Sequence, residues 1–469
     1  MKIRNIFVIV VLIVAISACS SGGGGGVNAL TAPAAPTGLL ITAASGSITL
    51  TWIDNANNED GFKVERGLDG TIFTEISGLL SSNTTTYRDT GLRASTKYYY
   101  RVRAGNSAGY SDYSGVINAT TTTISIPRSG QTISYAARDD GDLQKGRALP
   151  VPRFTAASSG TGTVLTDNLT GLMWPQDGDI PTFSICTGGL KDWPSALAYV
   201  ACLNSQQYLG FNDWRLPNVN ELESLVTADQ LNIADWLNGQ GFRNMQSSYY
   251  WTSTSDPIYS LAAYLVYTAH GYVSGDVKTQ TFYFLPVRGE ATDLPRTGQV
   301  DCYSSVTFTT IPCAGTGQDG DLQKGVSRPD QRFIVGTGAE ASCVTDLLTG
   351  LMWVQSLDTT ARTWTGALDY VTTTVNSGAG VCGHTDWRLS NVKELSSLLD
   401  ISGIGGFTPA LTPGNPFTNV NDYYWTSTTS ANITANAWQV NIHRASIDPF
   451  AVKSSPTNST YAWPVRGGN

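Results

Sequence analysis

Few residues in this chain of 469 amino acids are equipped for chemistry. It has three histidines, His270, His384 and His443, and no Gly-x-Ser-x-Gly block that would present an activated serine. The seven cysteines include no Cys-x-x-Cys pair, so the usual sequence signature of a zinc site is missing. One of them, Cys19, stands apart near the N-terminus. The other six, Cys186, Cys202, Cys302, Cys313, Cys343 and Cys382, are an even number, as in the disulfide framework of an exported protein. Six cysteines allow fifteen pairings. Local pairing is the expectation: Cys186–Cys202, Cys302–Cys313 and Cys343–Cys382. Two acidic turns, Asp139-Asp-Gly-Asp142 and Asp319-Gly-Asp321, could offer oxygens to Ca²⁺. Neither has the spacing of a calcium loop, and Asx-rich turns commonly form without metal. The residues therefore assign no catalytic group, no resident metal and no cofactor, with Ca²⁺ as the one ion to be considered.

The elements that position these groups are written twice. Asp140-Gly-Asp-Leu-Gln-Lys-Gly146 recurs at 319–325, Leu169-Thr-Gly-Leu-Met-Trp174 at 348–353 and Asp213-Trp-Arg-Leu216 at 386–389. Tyr249-Tyr-Trp-Thr-Ser-Thr254 recurs at 423–428, and Pro286-Val-Arg-Gly289 at 464–467. Collinear blocks at this long period mean a duplicated domain, with units at 126–291 and 294–468. No histidine occupies a matched position in both units, which argues against a shared acid–base site. Trp193, Ala196, Leu197 and Val200 predict a helix over 193–204, and Trp364, Ala367, Leu368 and Val371 predict its twin. Asn218 with Glu221, and Asn391 with Glu394, have capping-box spacing. Arg215 and Arg388, set among apolar neighbours, are expected to reach a buried carboxylate or backbone carbonyls. Trp174, Trp214 and Trp251 read as core, with a glycan-stacking platform as the sharper alternative for any one of them.

Ligand recognition is expected where the units differ, in 255–284 and 429–461. Tyr264 and Val266 in the first unit, and Trp438 and Val440 in the second, alternate with other residues at strand period. If Tyr264 and Trp438 point inward, Tyr267, Gln439, Asn441 and His443 point outward. These four are the candidate ligand-binding residues.

Upstream, residues 33–121 alternate Ile48, Leu50 and Trp52, then Phe62 and Val64, then Tyr98, Tyr100 and Val102. This is strand patterning with turns between. The segment resembles a fibronectin type III domain over its whole length, with Tyr98 as the tyrosine-corner residue, and is expected to act as a spacer. Thr120–Thr123 is expected to be a short polar linker.

The N-terminus opens with Lys2 and Arg4, then eleven apolar residues from Ile6 to Ile16. That is long enough for a signal h-region and too short to span a membrane. Ile16-Ser17-Ala18-Cys19 resembles a bacterial lipobox. The resemblance implies a signal peptide over 1–18, acylation of Cys19 and, with Ser20 following, residence in the outer membrane. Residues 19–32, with glycines at 22–26, form a flexible tether.

The five ordered blocks resemble the domain family named for the C-terminal domain of the Legionella collagen-like adhesin. The resemblance covers both units and implies a C-type-lectin-like α+β fold, export and binding of glycans. The Trp-Arg-Leu-Pro block is also similar to the formylglycine-generating enzymes. Those need a cysteine pair near the C-terminal end of the domain, and here the last cysteine is Cys382. That likeness stops at the fold.

The expected architecture is thus multidomain: an all-β fibronectin type III sandwich followed by two α+β C-type-lectin-like units. The expected role is non-catalytic binding of a glycan or a surface protein by a lipid-anchored outer-membrane protein on the cell surface. An envelope assembly protein that binds a partner membrane protein is the alternative. A net charge of −8, with charged residues only 14% of the chain, lacks the basic footprint of a nucleic-acid binder. It also disfavours the sulfated-glycan version of the family's binding. Oligomeric state is not legible.

Overall fold

The computed structural model describes residues 30–160, 162–179, 181–403, 410–455 and 459–468. Cys19 and the signal-peptide motif lie outside them, as does most of the tether. No helix of the described residues is long and apolar enough to cross a membrane.

The first body is the expected sandwich. Thr37–Ala43, Ser47–Ile53 and Thr86–Thr90 form one sheet, and Gly61–Gly67 and Lys97–Asn106 centre the other. The alternating Ile48, Leu50, Phe62, Val64, Tyr100 and Val102 are fully buried between them. The Tyr98 hydroxyl accepts the Arg93 N–H at 3.1 Å, which closes the corner. The segment after it is no free linker. Thr121 is buried, accepts the Thr96 N–H and donates to the Arg93 carbonyl. Ala94 bonds to the Ser327 carbonyl, and Ala94, Ile124, Val326 and Leu348 share a small apolar core. The sandwich is thereby seated on the duplicated part rather than strung from it.

In the first unit, helix α1 (Trp193–Ser205) starts at Asp192, whose carboxylate accepts the Ser195 N–H. Helix α2 (Val219–Glu223) starts at the predicted capping box of Asn218 and Glu221. The second unit repeats them as α3 (Trp364–Tyr370), which continues as a π-helical turn over Val371–Val375, and α4 (Val392–Ser396). Both short helices carry a second device. Arg215 grips Glu221 through two bonds of 2.5 and 2.6 Å and donates to the Gly289 carbonyl. Arg388 does the same with Glu394 and Gly467. One buried glutamate thus caps a helix and neutralises a buried guanidinium, which ties the Trp-Arg-Leu block to the Arg-Gly block. Trp174, Trp214 and Trp251 are buried in the core and offer no platform to a sugar.

The two units share one sheet. Strands β1 (Tyr249–Ser255), β2 (Ala262–Tyr267) and β3 (Tyr272–Val277) of the first unit join β4 (Tyr423–Thr429), β5 (Asn436–Asn441), β6 (Ser446–Val452) and β7 (Thr460–Tyr461) of the second. The order is β1-β2-β3-β6-β5-β4-β7, with β3 and β6 meeting at Val273 and Ile447. Equivalent strands face each other across the join, so the units are related by an approximate two-fold axis. One face of the join packs Tyr250, Val266, Val273, Trp438 and Ile447 into a common core.

The leading segment of each unit crosses to the other. Asp319, from the second copy of the Asp-Gly-Asp block, accepts hydrogen bonds from Thr254 of the first unit at 2.7 Å and from its neighbour Thr297 at 2.6 Å. Asp140, from the first copy, accepts one from Thr428 of the second unit at 2.6 Å. Gln299 is bonded to the backbone of Ser255, and Gln131 to that of Thr429. Asn218 donates to the Lys324 carbonyl and Asn391 to that of Lys145. Lys278 lies against Trp193 of its own unit and Tyr303 of the second unit's leader, with ring distances of 4.3 and 4.7 Å. Lys453 lies likewise against Trp364 and, from the first unit's leader, Tyr135. Folded bodies and sequence repeats therefore do not coincide: each body completes itself with the other's first residues.

Among the described residues three disulfides are present, Cys186–Cys202, Cys302–Cys313 and Cys343–Cys382. The first and third each lie within one body. The second closes a loop in the crossing leader and holds Tyr303 near Lys278.

A candidate ligand-binding groove at the junction of the units

The alternation placing Tyr264 and Trp438 inward is right, since both are buried. The inference that their neighbours face solvent is not. The opposite face of the sheet is covered as well, by Trp193, Trp251 and Leu265 in one unit and by Trp364 and Trp425 in the other. Gln439 is only 9% exposed, pairs across from Trp425 and bonds to Asp448 at 3.2 Å. Asn441 is 3% exposed and uses its side-chain oxygen to cap the turn, accepting the N–H groups of His443 and Arg444 at 2.9 Å each. Both are structural residues. His443 keeps partial exposure and lies 2.8 Å from Asp422. Tyr267 is half-buried and stacked on Tyr249 at 4.5 Å. The four candidates therefore do not converge on one site.

The surface that does converge is next to Tyr267. Its cross-strand partner Tyr272 lines an open groove of about 680 Å³ between β3 and the second unit. From the first unit come the loop residues Asp256, Tyr259 and Leu261, then Asp276. From the second come Tyr423 and Arg444. Tyr259 is 53% exposed and Leu261 56% exposed, which makes an apolar wall on an otherwise polar surface. The Arg444 guanidinium lies 5.9 Å from the Tyr259 ring. The Tyr264 hydroxyl donates to the Arg444 carbonyl at 2.9 Å, so the backbone of that arginine is fixed from across the junction.

Asp256 shapes the loop. One of its carboxylate oxygens accepts the N–H groups of Ile258 and Tyr259 at 2.8 and 3.1 Å. Burial pushes its carboxyl above the usual range, and those two N–H groups pull the other way. A side chain at Gly275 would meet the other carboxylate oxygen at 3.4 Å.

The two-fold axis predicts a twin of this groove, and aromatic rings stand at the twin position. His270 stands where Arg444 stands in the second unit, and Tyr272 where Ser446 stands. His270 and Tyr272 pack against Phe450 with ring distances of 5.8 and 6.2 Å. Drift between the repeats has thus put an aromatic cluster at one position and the polar Asp276 and Arg444 at the other. The drifted segments in the sequence pointed to this region. Tyr259, Asp276 and Arg444 come together only because β3 and β6 join, which no local pattern announces.

No group of three or more His, Cys, Asp or Glu side chains that could hold a metal occurs among the described residues. In the acidic turns, Asp140 and Asp319 bind threonine hydroxyls, and Asp142 and Asp321 accept the N–H groups of Arg138 and Gly317. Those oxygens have protein partners where a calcium ion would need them.

Comparison with known proteins agrees with this division. The model of the Lcl C-terminal domain family matches residues 163–288 and 342–466, over half the chain, and that of the fibronectin type III domain matches 34–120. The crossing leaders lie outside the first family's matches. Among curated proteins, exoglucanase B of Cellulomonas fimi is 38% identical over 107 residues, 23% of this chain. The chain spans only 9% of that relative's length. Similar solved structures include an Fn3-like protein from Clostridium thermocellum, 30% identical over 20% of this chain and 98% of that one. Another is the beta-1,2-glucanase of Parabacteroides distasonis, 25% identical over 21% of this chain and 14% of that one. Both have a TM-score of 0.18.

Proposed function

Because the chain belongs to the Lcl C-terminal domain family and carries that domain twice, we propose that it is a non-catalytic recognition protein whose ligand is a neutral glycan chain. The observation that carries this reading is the groove across the unit junction. It has tyrosine rings on which the apolar face of a sugar can stack. It also has Asp276 and Arg444 to accept from and donate to vicinal hydroxyls. A volume of about 680 Å³ is in the range of a small-ligand cleft. The acidic balance of the chain fits neutral sugars better than sulfated ones.

Display follows from the N-terminus. Signal cleavage before Cys19 and acylation of that cysteine anchor the protein in the outer membrane, with the glycine tether between lipid and sandwich. Loss of lipid labelling in a Cys19→Ala variant tests the anchor, and digestion of intact cells by added protease tests surface exposure.

The ligand reading is tested by a glycan array probed with the full-length chain, with and without calcium, beside Tyr259→Ala and Arg444→Ala variants. Saturable binding lost in both variants supports it. Binding that survives both moves the site elsewhere. No binding to any glycan favours a protein ligand, as in an envelope assembly role.

A further inference from the structure

A second asymmetry between the repeats exposes a different cleft. Aligned on Asp140 and Asp319, Arg138 of the first leader corresponds to Gly317 of the second. Both have left-handed backbones, with φ of 64° and 68°. Both N–H groups bond to the aspartate four residues on, Asp142 and Asp321. The backbones match and only the side chain differs. Arg138 reaches into the second body and donates to the Trp387 carbonyl at 3.2 Å. Trp214 is the first body's counterpart of Trp387. There, no arginine arrives, and the space ahead of Gly317 is open, since an added Cβ would meet no atom within 4 Å.

What remains is a cleft of about 530 Å³ between α1 and the turn 315–324, floored by Trp214 and Leu197. The Trp214 carbonyl accepts Asn204 at 2.7 Å, as the Trp387 carbonyl accepts Asn376 at 2.8 Å. A carbonyl oxygen has two lone pairs, and in the second body Arg138 takes the other. Charge at the cleft fits the same guest. Asp213, Glu290 and Asp321 line it. Arg215 is matched by Glu221 and Lys324 by Glu290, and Asp213 is gripped by Arg288. Among the described residues Asp321, which accepts only the Gly317 N–H, is therefore the rim carboxylate that has no cation of its own. In the second unit the counterpart of Glu290 is Gly468, so the open cleft carries a carboxylate that the self-filled one lacks.

We propose that this cleft is a binding site for a guanidinium group, namely an arginine side chain of a protein partner. It docks against the Trp214 carbonyl and the carboxylate rim as Arg138 docks in the twin. This site is separate from the junction groove and does not depend on the glycan reading.

The test is a calorimetric titration of the full-length chain with the tripeptide acetyl-Gly-Arg-Gly-amide and its citrulline counterpart. The expected result is saturable binding of the arginine peptide at one site per chain. The citrulline peptide, matched in shape but uncharged, binds at least about tenfold more weakly. Gly317→Arg places the chain's own guanidinium in the cleft and abolishes binding. Its backbone angle is one that Arg138 already adopts, and a thermal melt checks folding. Glu290→Gln is the independent second variant and weakens binding severalfold. Absence of saturable binding overturns the proposal. So does equal binding of the citrulline peptide, or binding unchanged in both variants.

Discussion

Asp319 and Thr254 belong to different sequence repeats, yet the threonine hydroxyl donates to the aspartate at 2.7 Å inside the protein. Asp140 and Thr428 make the reciprocal contact at 2.6 Å. All four residues are buried, so neither carboxylate can exchange its partner for bulk water. The Asp-Gly-Asp-Leu-Gln-Lys-Gly block is thus a latch between repeats, and it should make the two bodies unfold together. Thr254→Val and Thr428→Val each leave a buried carboxylate short of a donor, which costs about 1–3 kcal/mol. Urea unfolding of each variant should show one transition moved to lower denaturant. Two separate transitions would show that the bodies fold independently.

The Arg215–Glu221 and Arg388–Glu394 pairs should respond to a conservative change as if it were severe. Lysine keeps the charge but cannot make two parallel bonds to one carboxylate and a third to the Gly289 carbonyl. Because Glu221 also caps α2, Arg215→Lys disturbs an ion pair and a helix start together. The expected loss is about 2–4 kcal/mol in urea unfolding, near the 3–5 kcal/mol of a broken buried pair. A loss below about 1 kcal/mol would mean that water or another group replaces the missing donors.

Much of this was legible in the residues. The capping boxes and the sandwich strands are local patterns with one physical solution, and Arg215 takes both of the partners its apolar setting allowed, a buried carboxylate and a backbone carbonyl. The crossing of the leaders is different in kind. Thr254 and Thr428 sit in identical Thr-Ser-Thr blocks, so sequence chemistry cannot say which of them Asp140 meets. Gln439 and Asn441 show a further gap. Alternation tells which face of a strand a residue occupies, not whether another layer covers that face. The groove at Tyr259 and Arg444 depends on β3 meeting β6, a pairing set by the tertiary fold.

Acid should strengthen the latches. Burial pushes the carboxyls of Asp140 and Asp319 up to about 6, against the pull of their hydroxyl partners. Around Asp140, Glu394 raises and Arg388 lowers; around Asp319, Glu221 and Arg215 do the same. Between the ordinary value of 3.8 and about 6, the folded chain therefore holds more protons at these sites than the unfolded chain. Their contribution to stability falls as pH rises through that window and is flat above it. The difference in Tm between the wild type and an Asp140→Asn/Asp319→Asn variant should favour the wild type more at pH 4.5 than at pH 7. A difference independent of pH would mean that the carboxylates stay ionised in the folded state.

Lys393 and Glu223 stand 2.6 Å apart across the approximate two-fold axis, both largely shielded from water. Their symmetry counterparts, Asn220 and Ser396, carry no charge, so the pair breaks the symmetry of the join. Lys393 also donates to the Glu223 carbonyl at 3.2 Å, which fixes the end of α2 to α4. Burial raises the Glu223 carboxyl and Lys393 opposes that rise. Removing the lysine alone strands a buried carboxylate, and Lys393→Met should cost about 3–5 kcal/mol. Removing both charges in Lys393→Met/Glu223→Leu removes the desolvation penalty with the attraction, and should recover most of that loss. A double-mutant cycle by urea unfolding checks this. Additive losses in the double variant would show that each residue acts through packing alone, and that the ion pair contributes nothing to the join.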